Sequence, residues 1–368
     1  MKKIIKQTED IKTEQPILSE IKTFSNEKHK NLKKVPALFT HKYFLSDIQE
    51  YTQMPIKPIL FVRGLSKRYF RKKSPAIEKI SFDVFPGQFH AFIGANGAGK
   101  TTTIKCLIGA YANWSGTVLI NGVKNSKEEA KRKLGYIPEN ARFPEKFSAF
   151  RYLQWMVMLS GFSSNDAREY AADKLKSLKM WSLRKKSPNS FSSGQKKKIL
   201  LAQALIHDPD IIIMDEPVAN LDPKARIEFF NLLLDLKQKG KAIFISSHVL
   251  AELDRYSDSA TVLDGGRIVY DGDRKKLMSM FSKNGYEVSV DKENLVIDYL
   301  KKHKIPYKKN EENNNLIIEF ENKKLIANFQ EYLVSHKVDI ILFKKVEPSL
   351  EQVYEKLVIK GSVDTMKE

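Results

Sequence analysis

Hydrophobic positions follow two periods along the chain, and the period changes where the element changes. From residue 58 onward, short runs rich in β-branched and aromatic side chains predict strands over residues 59–62, 89–93, 117–120, 133–137, 211–214 and 242–246, with Ile80, Phe82 and Val84 alternating as another. Between them apolar residues recur three and four apart. Ile104, Leu107 and Ile108 predict one helix, and Ile199, Leu200, Ala202, Leu205 and Ile206 a second. Residues 148–186 carry the helical period alone, through Phe150, Leu153, Trp155, Met156 and Leu159 and then Ala171, Leu175 and Leu178. Alternating strand and helix predicts an α/β frame, and the strand-free stretch a helical insertion in it.

The two ends read differently. Residues 1–57 scatter Ile4, Ile5, Ile11, Ile17, Leu18 and Ile21 among charged side chains and are broken by Pro16, Pro36 and Pro55. This predicts a basic, largely irregular extension that cannot build a core and is either disordered or holds one loosely held helix, although residues 35–51 are apolar enough to dock on a surface. Residues 281–368 resume the alternation, with strands at 286–290, 316–320 and 340–343 and helices at 295–302 and 325–336. They predict a separate, small α+β unit, closed by a last helix that Ser349 and Gln352 open at capping-box spacing. The chain thus divides into residues 1–57, 58–280 with a helical subdomain at about 140–205, and 281–368.

Composition narrows the class. With 368 residues, 42% of them hydrophobic, the chain can bury a sizeable core. Its apolar runs, such as 211–214 and 340–343, are far shorter than the ~18 residues of a membrane span, and no apolar segment follows the lysine-bearing start, so a cytosolic protein is expected. The single cysteine, Cys106, reads as a small buried hydrophobe. The net charge of +19 is concentrated in the middle: +4 over residues 1–57, +15 over 58–280 and zero over 281–368. Basic clusters at 71–73, 184–186, 196–198 and 274–276 leave open a solvated surface, anionic lipid headgroups or nucleic acid. No aromatic-interleaved or zinc-finger pattern accompanies them, which makes nucleic acid the weakest of the three.

Chemistry enters with Gly94-Ala95-Asn96-Gly97-Ala98-Gly99-Lys100-Thr101-Thr102, placed between a predicted strand and a predicted helix. Glycines let successive backbone N–H groups converge on a phosphate at a helix N-terminus; Lys100 then reaches the terminal phosphates and the Thr101 hydroxyl ligates magnesium. This is a nucleoside-triphosphate cradle. Further on, Ser192, Ser193, Gly194 and Gln195 open a helix, either as an ordinary N-cap or as a second phosphate-sized site. The apolar run 211–214 ends in Asp215 and Glu216, as a buried strand does when it delivers charge to the sheet edge where α/β proteins bind ligands. There Asp215 is suited to hold magnesium through water, and Glu216 to accept a proton from an attacking water. Asp222 and His248 arrive at neighbouring loop or strand ends; His248 is either a cap or a partner of the γ-phosphate and water. Tyr69 offers a ring on which a base can stack.

In this order the segments resemble the ATP-binding cassette (ABC) family over roughly residues 58–280, with Walker A at 94–101, the signature at 191–195, Walker B at 211–216, the D-loop at 219–222 and the switch histidine at His248. The resemblance implies a P-loop NTPase cassette, a mixed sheet with a helical subdomain, followed by a small α+β C-terminal domain. It implies ATP and Mg2+ as cofactors, with Gly94, Asn96, Gly97, Gly99, Lys100, Thr101 and Thr102 around the phosphates, Tyr69 on the adenine, and Thr101, Asp215 and Glu139 around the metal. The catalytic set it implies is Glu216, His248 and Lys100. Two cassettes, identical or not, would face each other head to tail, so that Ser192, Gly194, Gln195 and Asp222 of one close the site of the other. The aromatic segment after Glu139 would receive a polytopic membrane permease. Pro348-Ser349-Leu350-Glu351 resembles the C-terminal domain of drug-, polyketide- and polysaccharide-export cassettes, which implies an exporter subunit on the inner face of the membrane. Phe191, Ser193 and Asn220 depart from the common pattern, and Glu139 stands where many relatives have glutamine; none of these removes the hydrolytic groups. The competing reading is a soluble ABC ATPase of translation or DNA maintenance. Such chains carry a second cassette or a long coiled coil, and neither pattern is present in this sequence.

Overall fold

The computed structural model describes residues 41–364 apart from 249, 282–284, 311, 312 and 347. Most of the expected extension, residues 1–40, therefore lies outside the described residues. Helix α1 (His41–Gln53) precedes two antiparallel strands, β1 (Leu60–Lys67) and β2 (Ile77–Val84), and β3 (Phe89–Ile93) leads through the glycine loop into α2 (Lys100–Leu107). β4 (Ser115–Ile120) and β5 (Val123–Lys124) complete an antiparallel sheet ordered β2-β1-β4-β5. After α3 (Glu128–Arg132) come β6 (Leu134–Ile137), the helices α4 (Ala149–Leu159), α5 (Ser164–Ser177) and α6 (Ser193–Ala204), and β7 (Ile211–Asp215). α7 (Pro223–Gln238), β8 (Ala242–Ser247), α8 (Leu250–Tyr256), β9 (Ser259–Asp264), β10 (Arg267–Asp273) and α9 (Arg274–Phe281) follow.

The central sheet, ordered β10-β9-β3-β8-β7-β6, is parallel except for its edge strand β10. β3, β7 and β8 are buried at every position, as strands covered on both faces must be. Their side chains alternate between two cores. Phe89, Ala91, Ile212, Met214, Ile243 and Ile245 pack with Leu200 of α6 and Phe229 and Phe230 of α7. Phe92, Ile211, Ile213 and Phe244 point the other way, onto Leu60 and Phe82 of the antiparallel sheet and Ile104 of α2. The one polar interruption in β3, His90, is wholly buried between the Ser259 and Thr261 hydroxyls at 2.8 and 2.9 Å, and burial drives its imidazole down to about 3, so it is a neutral core residue. Because β3, β6, β7 and β8 run parallel, their C-terminal ends meet at one sheet edge, which carries the glycine loop, Glu139, Glu216 and His248.

Two boundaries differ from the sequence expectation. Before residue 57, where one loosely held helix is the most that is expected, α1 is docked on the antiparallel sheet. Tyr51 is buried edge-on against Phe61 at 5.5 Å, the Thr117 hydroxyl donates to Asp47 at 2.6 Å, and Arg63 donates to Glu50 at 2.7 and 2.9 Å. Removing so buried an aromatic costs about 3 kcal/mol, so Tyr51→Ala is expected to lower the urea midpoint at an unchanged m-value.

The second difference lies at the other end. β11 (Gly285–Val290), α10 (Glu293–Lys302), β12 (Tyr307–Lys309), β13 (Leu316–Glu319), α11 (Lys323–Ser335) and β14 (Ile340–Lys345) form an antiparallel sheet ordered β12-β13-β11-β14 with its own core around Val288, Val296, Leu300, Ile318, Phe329 and Leu333. The last helix, α12 (Leu350–Asp364), does not join that core: Leu350 and Val353 are buried with Leu253 of α8 and Leu277 of α9. The helix expected to close the small unit is packed on the cassette instead.

Candidate functional site

The glycine loop is shaped by what its residues lack. Gly99, the N-cap of α2, has φ +109°, and a Cβ there would lie 2.7 Å from the Ala76 carbonyl oxygen and from Ile77 Cγ2, so no other residue fits. No side chain caps α2, which leaves the amides of its first turn for a phosphate. Lys100 is 6% exposed; its Nζ donates to Gly94 O at 2.8 Å and Ala95 O at 3.2 Å and pairs with Glu216 Oε1 at 3.3 Å. The Tyr69 hydroxyl lies 3.0 Å from Thr102 Oγ1, with its ring edge-on to Tyr111 and its phenol pushed up by burial.

Facing the loop is the end of β7. Asp215 is buried and accepts from Ser246 Oγ at 2.8 Å and from Thr101 Oγ1 at 3.3 Å. Glu216 then turns into the left-handed region, φ +44°, at a cost on the order of 1 kcal/mol for a side chain of its size. Its N–H donates to the same Ser246 Oγ at 3.0 Å, which holds the turn. The turn aims the carboxylate into the cleft, with Oε1 on Lys100 and Oε2 on His248 Nδ1 at 2.8 Å. The cleft has a volume of about 400 Å³ and is lined by Tyr69, Asn96, Gly97, Gly99, Lys100, Thr101, Thr102, Glu139, Glu216 and His248 together with Ala76 and Ala219. Gly94 and Asp215 stand behind this wall and reach it through Lys100 and Thr101. Thr101 Oγ1 and Asp215 Oδ1 are hard oxygen donors of the kind magnesium takes when it keeps several waters and adds phosphate oxygens.

A sequence profile of the family described as ABC transporter matches residues 77–219. A protein of Mycoplasma pneumoniae named as an ABC transporter ATP-binding protein is 39% identical over 313 residues, which span 84% of this chain and 95% of that one. The chain belongs to the ATP-binding cassette family. Nod factor export ATP-binding protein I of Burkholderia orbicola is 33% identical over 60% of this chain and 72% of its own length. A solved structure described as the ATP-binding subunit of an ABC transporter superposes with a TM-score of 0.55 at 32% identity, covering 61% of this chain and 93% of that one. The mixed α/β fold is that of a P-loop ABC ATPase, and no helix among the described residues is long and apolar enough to cross a membrane.

The signature residues and Asp222 of the D-loop stand apart from the cleft. Ser192 caps α6: its Oγ accepts from Gln195 N–H at 3.3 Å while Gln195 Oε1 accepts from Ser192 N–H at 3.1 Å, a complete capping box. Ser192 and Ser193 are exposed, but Gly194 is buried, and a Cβ on it would lie 2.9 Å from the Ala225 Cβ. The missing side chain of Gly194 lets α6 pack on α7, and the exposed groups at the helix tip are the two serines. Asp222 caps α7, accepting from Ala225 N–H at 2.9 Å. None of Ser192, Gly194, Gln195 and Asp222 lines the cleft around Lys100. Asn220 has φ +61°, a left-handed conformation that asparagine tolerates well.

Two residues of this site escape a reading by sequence. Ser246 bonds both Walker B carboxylate residues; a hydroxyl closing an apolar strand was the one available signal. Lys197 hides in a run of three lysines that reads as solvated surface, yet it is 5% exposed and donates to Pro138 O at 2.8 Å and Glu139 O at 2.7 Å. It ties the signature helix to the loop after β6. Burial lowers its ammonium to about 8, opposed by the carboxylates of Glu139, Asp215 and Glu216.

Proposed function

We propose that this cassette is the ATP-hydrolysing subunit of an exporter, driving a separate multi-span permease from the inner face of the membrane. The observation that carries the hydrolytic part is Glu216, a carboxylate aimed into a phosphate-binding cleft and held between Lys100 and His248. With ATP in the loop, Lys100 keeps the Gly94 carbonyl and exchanges Glu216 for the β- and γ-phosphates. Glu216 takes the proton of a water whose oxygen bonds to the γ-phosphorus as the bond to the bridging oxygen breaks, releasing ADP and phosphate. His248 keeps the second Glu216 oxygen in place, and Tyr69 offers its ring to the adenine. Thr101 and Asp215, with Glu139 beside them, would hold Mg2+, which supplies neutralisation of charge on the β- and γ-phosphate oxygens.

In this reading the exposed helix tip at Ser192 and Ser193 of a second copy supplies donors that close the cleft over nucleotide. Trp155, Met158, Leu159 and Phe162 form an apolar surface on and beside α4 that suits an amphipathic helix of a membrane partner. The export direction is supported by likeness to a protein named for Nod factor export. The test is affinity purification of the full chain from detergent-solubilised membranes. A multi-span protein without an ATPase of its own is expected to copurify with wild type and to be lost with Trp155→Glu at an unchanged melting temperature. Recovery of ribosomes or DNA in its place overturns the transport reading.

A further inference from the structure

Helix α12 reaches the glycine loop. Leu350 and Val353 anchor it in the cassette core, and the next residue, Tyr354, extends to the loop, where its hydroxyl accepts from the Ala95 N–H at 2.9 Å. The oxygen of that same peptide unit, Gly94 O, accepts from Lys100 Nζ at 2.8 Å. One peptide bond at the start of the loop is thus held from both sides, by the last helix on its nitrogen and by the phosphate-binding lysine on its oxygen. Hydrogen bonds at the two ends of an amide polarise it in the same sense and reinforce each other. Glycine at position 94 makes the restraint matter. Its backbone has no Cβ to oppose rotation of the following peptide, so the orientation of this unit must be set by its partners.

We propose that Tyr354 is a positioning residue for nucleotide binding, which keeps the Gly94–Ala95 peptide and, through it, Lys100 in register for the phosphates. The proposal rests on the reading of this loop as the phosphate cradle. It gives the C-terminal region a role at the site that no Walker or signature residue fills: α12 follows the small sheet unit in the chain and reaches the phosphate loop through a single hydroxyl.

The test is the full-length Tyr354→Phe variant, which removes the hydroxyl and keeps the ring that packs beside the core. MgADP, which is not turned over, is titrated by calorimetry, and steady-state ATP hydrolysis is measured in parallel. Loss of one such hydrogen bond is expected to raise the MgADP Kd and the ATP KM by the same factor, roughly twofold to tenfold, with kcat and the melting temperature unchanged. An MgADP affinity equal to wild type overturns the proposal, as does a fall in melting temperature with unchanged affinity, which would assign Tyr354 to packing alone. Failure of the wild-type chain itself to bind MgADP overturns the cradle reading along with it.

Discussion

Glu216→Gln is expected to bind MgATP at least as well as wild type and to release phosphate roughly 10² to 10⁴-fold more slowly, the usual loss for a general base. The substitution is nearly isosteric, and an amide at this position can still meet His248 Nδ1, 2.8 Å from the native carboxylate. What it cannot do is take a proton from water. It also removes the anion that pairs with Lys100 at 3.3 Å, so the lysine is freer to turn to the phosphates. Binding and chemistry therefore separate, and ATP persists in the cleft. If two copies close over nucleotide, the variant with MgATP should accumulate as a dimer by light scattering while the wild type cycles. Wild-type rates of phosphate release from Glu216→Gln would assign the base elsewhere.

The groups on which this rests were legible in the sequence for physical reasons. β7 is covered on both faces, so its residues form an unbroken apolar run, and two carboxylates ending such a run have only the sheet edge to occupy. The glycine loop was equally plain, because close approach of backbone to phosphate and φ +109° at Gly99 admit no other residue. The helical subdomain showed through its period. What remained hidden depends on partners distant in sequence. Leu350 and Val353 mark an apolar helix face, but a face does not say which core it joins. Tyr51 is one of three aromatics in its helix, and only Phe61 and Leu119 make it a core residue. β10 and β12 are sheet-edge strands with mostly charged or partly exposed residues, and they lack the alternation that marks a half-buried strand. Gly194 shows the limit within a recognised segment: the motif places it at the helix tip, and only the neighbouring Ala225 reveals that its smallness serves packing.

Lys100→Met is expected to weaken MgATP binding roughly tenfold to a hundredfold, as loss of a charged hydrogen-bond donor does, and also to destabilise the protein before any nucleotide is added. The second effect follows from burial. Lys100 and Glu216 are 6% and 8% exposed, and without the ammonium the Glu216 carboxylate keeps His248 but loses its buried cation. Breaking a buried pair by removing one partner costs about 3–5 kcal/mol, or roughly 4–6 °C of melting temperature in a chain of this size. Replacing both partners leaves no charge stranded, so Lys100→Met/Glu216→Gln should recover most of that loss by scanning calorimetry while remaining unable to bind ATP tightly or hydrolyse it. A single variant as stable as wild type, or a double variant no more stable than the single, would mean that the pair contributes nothing to the folded state and that Lys100 is held by the Gly94 and Ala95 carbonyls alone. The expected result instead makes the resting cleft a charge-balanced arrangement in which the triphosphate replaces Glu216 as the counter-ion of Lys100. That exchange releases the Glu216 carboxylate to face water at the moment its substrate arrives.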